Sequence, residues 1–243
     1  MTSAGFEKIA GILFDKDGTL LRYDESWGPV NREAARIAAA GDAELEPQLL
    51  FSGGMDPVSG HTRPDSLLAA GNAAEIAAGF VSAGSPIEVD ELTRLLDDLF
   101  VRSAEFSVPV TDLSALFSRL KARGLKLGVA SSDNEEAIWQ TAIRFGFIDH
   151  LDFIAGYDSG HGVKPEPGMV LGFCRTVGIE PSAVAMVGDN NHDMHMGRNA
   201  GVGLKVAVLT GTGSRETLSA ASDICLDDIT LLESLLPEAA EAH

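Results

Sequence analysis

Two cysteines in 243 residues are too few for a disulfide framework. Cys174 shares a helical spacing with Val170, Phe173 and Val177, the pattern of a buried thiol rather than a reactive one. Cys225 has no partner pattern. Long apolar runs are also missing: no charge-free stretch approaches the ~18 residues that a membrane span needs. No basic segment precedes an apolar one near the N-terminus, where Glu7 and Asp15 stand, so no secretory signal is expected and a reducing cytoplasm is the default location. Basic residues are scarce, 18 Lys plus Arg against 36 Asp plus Glu, for a net charge of −18. Such a surface repels nucleic acid and anionic membranes, so neither is expected as a partner. An anionic ligand would need a local patch of positive charge. There is no internal repeat, and no pattern speaks to the oligomeric state.

What is present describes a globule. The apolar fraction of 45% supports a sizeable core, and the length suits one large α/β domain or a core with a smaller companion. Ile9 to Phe14 is a short apolar run of the kind buried on both faces of a parallel sheet. From about Leu21 to Val108 the signals turn helical. Trp27, Val30, Ala34, Ile37 and Ala38 form one stripe, with Pro29 read as lying in the first turn of its helix. A short Leu45 to Phe51 segment comes next, then a turn-rich loop from Ser52 to Pro64. A helix capped by Asp65 is expected through Phe80, and another over Glu88 to Phe106 with Leu92, Leu95, Leu96, Leu99 and Phe100 on one face.

After Pro109, helices and buried strands alternate. Strands are expected at Lys126 to Ala130, Phe153 to Ala155, Ala183 to Val187 and Leu204 to Leu209. Helices fall over Asp112 to Arg123, Glu135 to Phe145, the stretch after Pro167 to Val177, the stretch reaching Ala200, and the tail from Ile229 to Leu236. This alternation predicts right-handed crossovers and an α/β fold: a Rossmann-like parallel sheet with helices on both faces, interrupted by an α-helical insertion. The division is 1–21 and 109–243 for the core and 22–108 for the insertion.

The chain is organised around Asp15-Lys16-Asp17-Gly18-Thr19, placed where the first strand emerges. Carboxylates at a strand's carboxyl end can face one cleft, since ligands of open α/β sheets bind there. A carboxylate is a competent nucleophile, and hard divalent cations prefer such oxygens. A plain Asp-Gly turn or a set of solvated surface acids would use the same letters. A calcium loop is excluded, because Leu20 and Ser26 stand where Gly and Glu are required. Three further polar clusters lie at or beyond strand ends: Ser131 with Ser132, Lys164 before Pro165, and Gly188-Asp189 through Asp193.

In this order the four clusters resemble the haloacid dehalogenase superfamily, whose motifs are Asp-x-Asp-x-Thr, a Ser or Thr after the next core strand, a Lys, and Gly-Asp-x-x-x-Asp. The insertion resembles that family's helical cap. The resemblance implies Asp15 as nucleophile forming an aspartyl-phosphate, and Asp17 as general acid and then base. It implies Mg2+ held by Asp15, Asp17 and Asp189, with Asp193 supporting that set or orienting Lys164. Ser131, Ser132, Gly18, Thr19 and Lys164 would hold the phosphoryl group. Ser131 and Ser132 are adjacent, and the strand end decides between them. His192 and His195 can share a helix face, a zinc-like alternative that the magnesium set makes unnecessary.

Within the family, dehalogenase relatives generally lack the second acid, so Asp17 points to phosphate chemistry. Phosphonate-cleaving relatives use a cap lysine, and here none stands between Lys16 and Lys121. Mutase relatives tend to carry a hinge His, where this chain has Tyr23 and Trp27. The resemblance therefore implies a Mg2+-dependent phosphomonoester hydrolase, similar to the phosphoglycolate phosphatase branch. Its expected substrate is a small phosphate ester, phosphoglycolate-like or a sugar phosphate. A mutase of the same fold and a non-catalytic phosphate-binding protein are the alternatives. The loop Gly53 to Pro64 is the expected closing loop, with His61 and Arg63 as its contacts to the leaving group.

Overall fold

A computed structural model describes residues 3–236 of the chain. A 3-10 turn, Ser3–Lys8, precedes β1 (Gly11–Phe14), and the five helices of the insertion follow: α1 (Tyr23–Ala38), α2 (Leu45–Gly53), α3 (Leu67–Ala70), α4 (Ala73–Ser82) and α5 (Val89–Ser103). A sixth helix, α6 (Leu113–Ala122), also precedes β2 (Lys126–Ala130), and the chain then runs α7 (Glu135–Arg144), β3 (Phe153–Ala155), α8 (Gly168–Val177), β4 (Val184–Gly188) and α9 (Asn191–Ala200). It closes with β5 (Leu204–Val208), α10 (Arg215–Ala221), β6 (Ile224–Leu226) and a 3-10 segment, Ile229–Leu235.

All the strands pair in parallel, in the order β3-β2-β1-β4-β5-β6. β1 sits between both halves and is buried along its whole length. Its side chains alternate between two cores, as the period of a strand requires. Ile12 and Phe14 face a cluster with Leu113 and Phe117 of α6, while Leu13 faces Phe173 of α8 and Met196 of α9. Register does the rest: Phe14 lies beside Val129 of β2 and Val187 of β4. The residues that follow these three strands therefore emerge at one edge. Because the chain lays β2 on one side of β1 and β4 on the other, this edge is the point where the strand order reverses and a crevice opens.

The insertion has an apolar cluster of its own. Trp27, Val30 and Ala34 of α1 pack with Leu92, Leu96 and Phe100 of α5 and Phe80 of α4. Full burial of each large side chain contributes roughly 1.5–3 kcal/mol, enough to hold the helices as a unit. The insertion leaves and re-enters the core at one place, where Leu21 bridges Pro109 antiparallel and the Arg22 amide donates to Val108 O at 2.9 Å.

Several local expectations are corrected. The helix expected from Asp65 to Phe80 is two helices. Asp65 has φ +56° and Ser66 takes the cap position of α3, and Asn72 starts α4 in a reciprocal box with Glu75. Pro29 lies inside α1, which begins at Tyr23 rather than near the proline. Leu95 is 37% exposed and not part of the α5 seam. α10 and β6 were not foreseen, and the last helix is 3-10 in form. Among the described residues no helix is long and apolar enough to cross a membrane. Residues 1–2 and 237–243 of the expected core lie outside the described residues.

Candidate active site

Asp15 leaves β1 with its amide bonded to Val187 O at 2.8 Å, so the backbone is pinned to β4 at the step where the side chain turns into the crevice. Ser131 leaves β2 with its amide on Ala155 O at 3.0 Å, and its Oγ accepts from the Asp133 amide at 3.1 Å. The Ser131 hydroxyl hydrogen is thus left for a ligand. Asp189 follows β4, and its Oδ2 accepts from the Thr212 amide at 3.0 Å. Asp193 sits in the first turn of α9, where Asn190 caps the helix and donates its own amide to Asp193 Oδ2 at 3.1 Å. Lys164, in the loop before α8, joins the two halves: its Nζ lies 2.5 Å from Asp15 Oδ1 and 2.7 Å from Asp193 Oδ1.

The electrostatics of this cluster are unbalanced. Asp15, Asp189 and Asp193 are all buried and offer oxygens within 4.8 Å of one another. Burial, then Asp193 and Asp17, push Asp15 up to about 7 against the pull of Lys164. Burial, followed by Asp15 and Asp193, lifts Asp189 well above the usual carboxylate range. Burial draws Lys164 down, but Asp15 and Asp193 outweigh it and hold the ammonium above its ordinary value. A cluster whose carboxylates resist ionising for want of positive charge is the donor set that a hard divalent cation fits. The oxygen-only ligands and their close approach accord with Mg2+.

A second ion-paired group lies beside it and was not read from the sequence. Lys16 is 1% exposed, with Nζ 2.8 Å from Asp17 Oδ2, 3.0 Å from Asp133 Oδ2, and 5.6 Å above the Trp27 ring. Burial, offset by Lys16, raises Asp133 to about 6. The Asp17 carboxylate is therefore held by the residue before it, and that residue is covered by the insertion. Trp27 in turn makes an edge contact with Phe100 at 4.9 Å.

The cavity over these groups, about 520 Å³ including its open mouth, is bordered by Asp15, Asp17, Ser131, Ser132, Lys164 and Asp189 on the core side. Asp193, Asp133, Asn190 and His192 also border it. The facing wall comes from the insertion: Trp27, Leu68 to Gly71, Ile76 and Phe100. Tyr23 fixes this wall through a hydrogen bond from its hydroxyl to Leu68 O at 2.6 Å. Ser131 is the more deeply buried of the adjacent serines, and both reach the cavity.

Four expected residues are not brought there. Gly18 donates its amide to Leu21 O at 2.8 Å, so that donor is already engaged. Gly18 instead permits close packing: at φ +83°, a Cβ would come within 2.6 Å of the Asp189 carboxylate. Thr19 is fully buried and outside the cavity. His61 and Arg63 are exposed on a loop closed by the Met55–Thr62 bridge, with Arg63 5.6 Å over the Phe51 ring, and neither borders the cavity. The loop folds on itself because Asp56 accepts from the Val58 and Ser59 amides, turning His61 away. The insertion instead reaches the core through Asp65, which accepts from Asn191 Nδ2 at 2.9 Å, and through Asp97, which accepts from Asn134 Nδ2 at 3.0 Å and from the Tyr157 hydroxyl at 2.9 Å. His195 is not among the groups bordering the cavity, and His192 is.

Known proteins are similar to this chain in sequence and fold. A phosphatase of N-acetylmuramic acid 6-phosphate from Pseudomonas aeruginosa is 30% identical over 196 residues, covering 80% of this chain and 79% of its own. A phosphoglycolate phosphatase from Caulobacter vibrioides is 28% identical over 197 residues, covering 79% and 76%. The solved structure of a predicted phosphoglycolate phosphatase from Haemophilus somnus superposes with a TM-score of 0.71 at 18% identity, over 94% of this chain and 98% of that one. The family model for haloacid dehalogenase-like hydrolases matches residues 9–201. With that match laid over β1, β2, β4 and the polar residues at their carboxyl ends, the chain belongs to the haloacid dehalogenase-like hydrolases.

Proposed function

We propose that this phosphatase of the haloacid dehalogenase-like family hydrolyses a small phosphate monoester in two steps, with Asp15 as nucleophile and Mg2+ as cofactor. The observation that carries the reading is the Asp15–Lys164–Asp193 bridge beside Asp189, which gathers a nucleophile, a cation and a metal-ready acid pair in one crevice. A carboxylate oxygen of Asp15 attacks phosphorus as the bond to the leaving oxygen breaks, giving an aspartyl-phosphate. Asp17, held by Lys16, gives a proton to the departing alkoxide. Asp17 then takes a proton from water, whose oxygen attacks phosphorus and releases phosphate and free Asp15.

Lys164 neutralises charge on the transferred group, and the Ser131 hydroxyl donates to one of its oxygens. Asp15, Asp189 and the backbone at Asp17 would hold the metal, and Asp193 orients Lys164. When bound, the ion lowers the repulsion between the incoming phosphate and Asp15. The insertion, residues 22–108, acts as the cap over a core formed by 1–21 and 109–243, and excludes water while the first step proceeds. The test is phosphate release from a panel of small monoesters with and without Mg2+, using wild type beside Asp15→Asn. Turnover that needs the metal and is lost in the variant supports the reading; Mg2+-independent turnover, or turnover retained by Asp15→Asn, overturns it.

A further inference from the structure

The cavity's two sides differ in kind. The core side carries five carboxylates, of Asp15, Asp17, Asp133, Asp189 and Asp193, against two ammonium groups. Both ammonium groups are committed: Lys164 to Asp15 and Asp193, Lys16 to Asp17 and Asp133. The facing wall is apolar, made by Trp27, Leu68, Ile76 and Phe100 around the Ala69–Gly71 backbone. Among the described residues that border the cavity there is no arginine, and no lysine other than Lys164. A divalent ion would be used by the phosphoryl group itself. A second anionic group on the substrate would therefore lie between an apolar wall and a surplus of carboxylates, with no lysine or arginine free to offset its lost hydration.

Two polar atoms point the other way. Asn190 is 6% exposed, and its Nδ2 has no hydrogen-bond partner among the described residues; neither has His192 Nδ1. Buried groups of this kind are normally satisfied, and both residues border the cavity. We infer that the ester hydrolysed here has an uncharged, hydroxylated leaving group, with its carbon face laid on Trp27 and Phe100 and its hydroxyls completing Asn190 and His192. This rests on the phosphatase reading above and narrows it away from carboxylated esters and bisphosphates. Flat apolar side chains suit the carbon face of a sugar or short polyol, while amide and imidazole nitrogens match hydroxyl groups.

The test compares matched pairs in Mg2+: 2-hydroxyethyl phosphate with phosphoglycolate, glycerol phosphate with 3-phosphoglycerate, and a hexose monophosphate with its bisphosphate. The neutral member should have a kcat/KM at least tenfold higher in each pair, with the difference mainly in KM. Calorimetry on Asp15→Asn gives a reading independent of turnover. Against inorganic phosphate as baseline, glycerol phosphate should bind more tightly and phosphoglycolate no more tightly. Equal or better use of the anionic members would overturn the inference while leaving the phosphatase reading intact. His192→Gln removes the bordering imidazole: selective loss of phosphoglycolate turnover in that variant would also overturn the inference. No turnover on any ester, phenyl phosphate included, would sink the phosphatase reading instead, and the calorimetric ranking would then decide the preference of the site.

Discussion

Replacing Lys16 by methionine tests the buried clamp on Asp17 directly. The wild-type ammonium is 1% exposed and touches two carboxylates, of which Asp133 is 5% exposed. Methionine fills similar space but leaves those acids unpaired. Breaking a buried pair in this way costs about 3–5 kcal/mol, against a typical total stability of ~5–15 kcal/mol. The loss has a pH signature. With Lys16 in place Asp133 is raised to about 6 by burial; without it the carboxyl stays protonated through neutral pH. At Asp133 the folded variant then binds nearly one proton more than the folded wild type at pH 7.5 and about half a proton more at pH 6, while the two unfolded chains bind alike there. Its relative stability must therefore rise as pH falls, by up to ~1.4 kcal/mol per pH unit, and the deficit should shrink by roughly 1.6 kcal/mol over that interval. Urea unfolding without Mg2+ at the two pH values measures it, and Asp133→Asn placed on the Lys16→Met background should recover half the loss or more. A deficit under about 1 kcal/mol at pH 7.5, or one that widens on acidification, would refute the clamp.

The metal-free protein should itself gain stability between pH 8 and 5.5, because Asp15, raised to about 7 by burial, and Asp189, also raised, are more easily protonated when folded than when unfolded; a flat profile in calorimetric scans would contradict this. Mg2+ at a hundred times its Kd should stabilise by ~2.7 kcal/mol, or roughly 5–11 °C in Tm. Asp189→Asn should raise the Tm of the metal-free protein by removing one acid from the cluster, and abolish most of the Mg2+ increment; a lowered metal-free Tm would count against repulsion as the dominant effect. Gly211→Ala places a Cβ within 1.7 Å of Asp189 Oδ2, so turnover should fall at least tenfold. Gly28→Ala, in α1 with open space around it, should leave turnover unchanged and stabilise by ~0.5–1 kcal/mol.

The core strands were legible because burial on both faces writes a continuous apolar run, and the polar residue ending each run marks the crevice edge. Asp15, Ser131 and Asp189 follow such runs, whereas Lys164, in the loop before α8, was assigned through the family resemblance. What escaped depended on side-chain direction or on partners far along the chain. Lys16 stands between two assigned acids, and its burial beneath Trp27 becomes visible only when α1 is folded over β1. Trp27 and Phe100 read as ordinary seam residues, since an amphipathic stripe does not say whether it covers a neighbour or a cavity. The break between α3 and α4 was available in Asn72 and Glu75, an N-terminal box signal overridden by the alanine-rich run around it. His61 and Arg63 drew attention through their chemistry, but Asp56 decides where their loop goes.

The crossing at Leu21 and Pro109 sets what kind of change this architecture can absorb. The two chain ends of the insertion lie side by side, with the Val110 amide on Leu20 O at 2.9 Å, so the sheet does not depend on what is strung between them. A turn of a few residues could join the same ends. The wall over Asp15 is therefore exchangeable as one block: residues 22–108 can diverge or be traded for another helical unit without re-laying a strand. Under the proposed function, a chimera bearing a relative's insertion should need Mg2+ as the parent does while taking its substrate ranking from the donor.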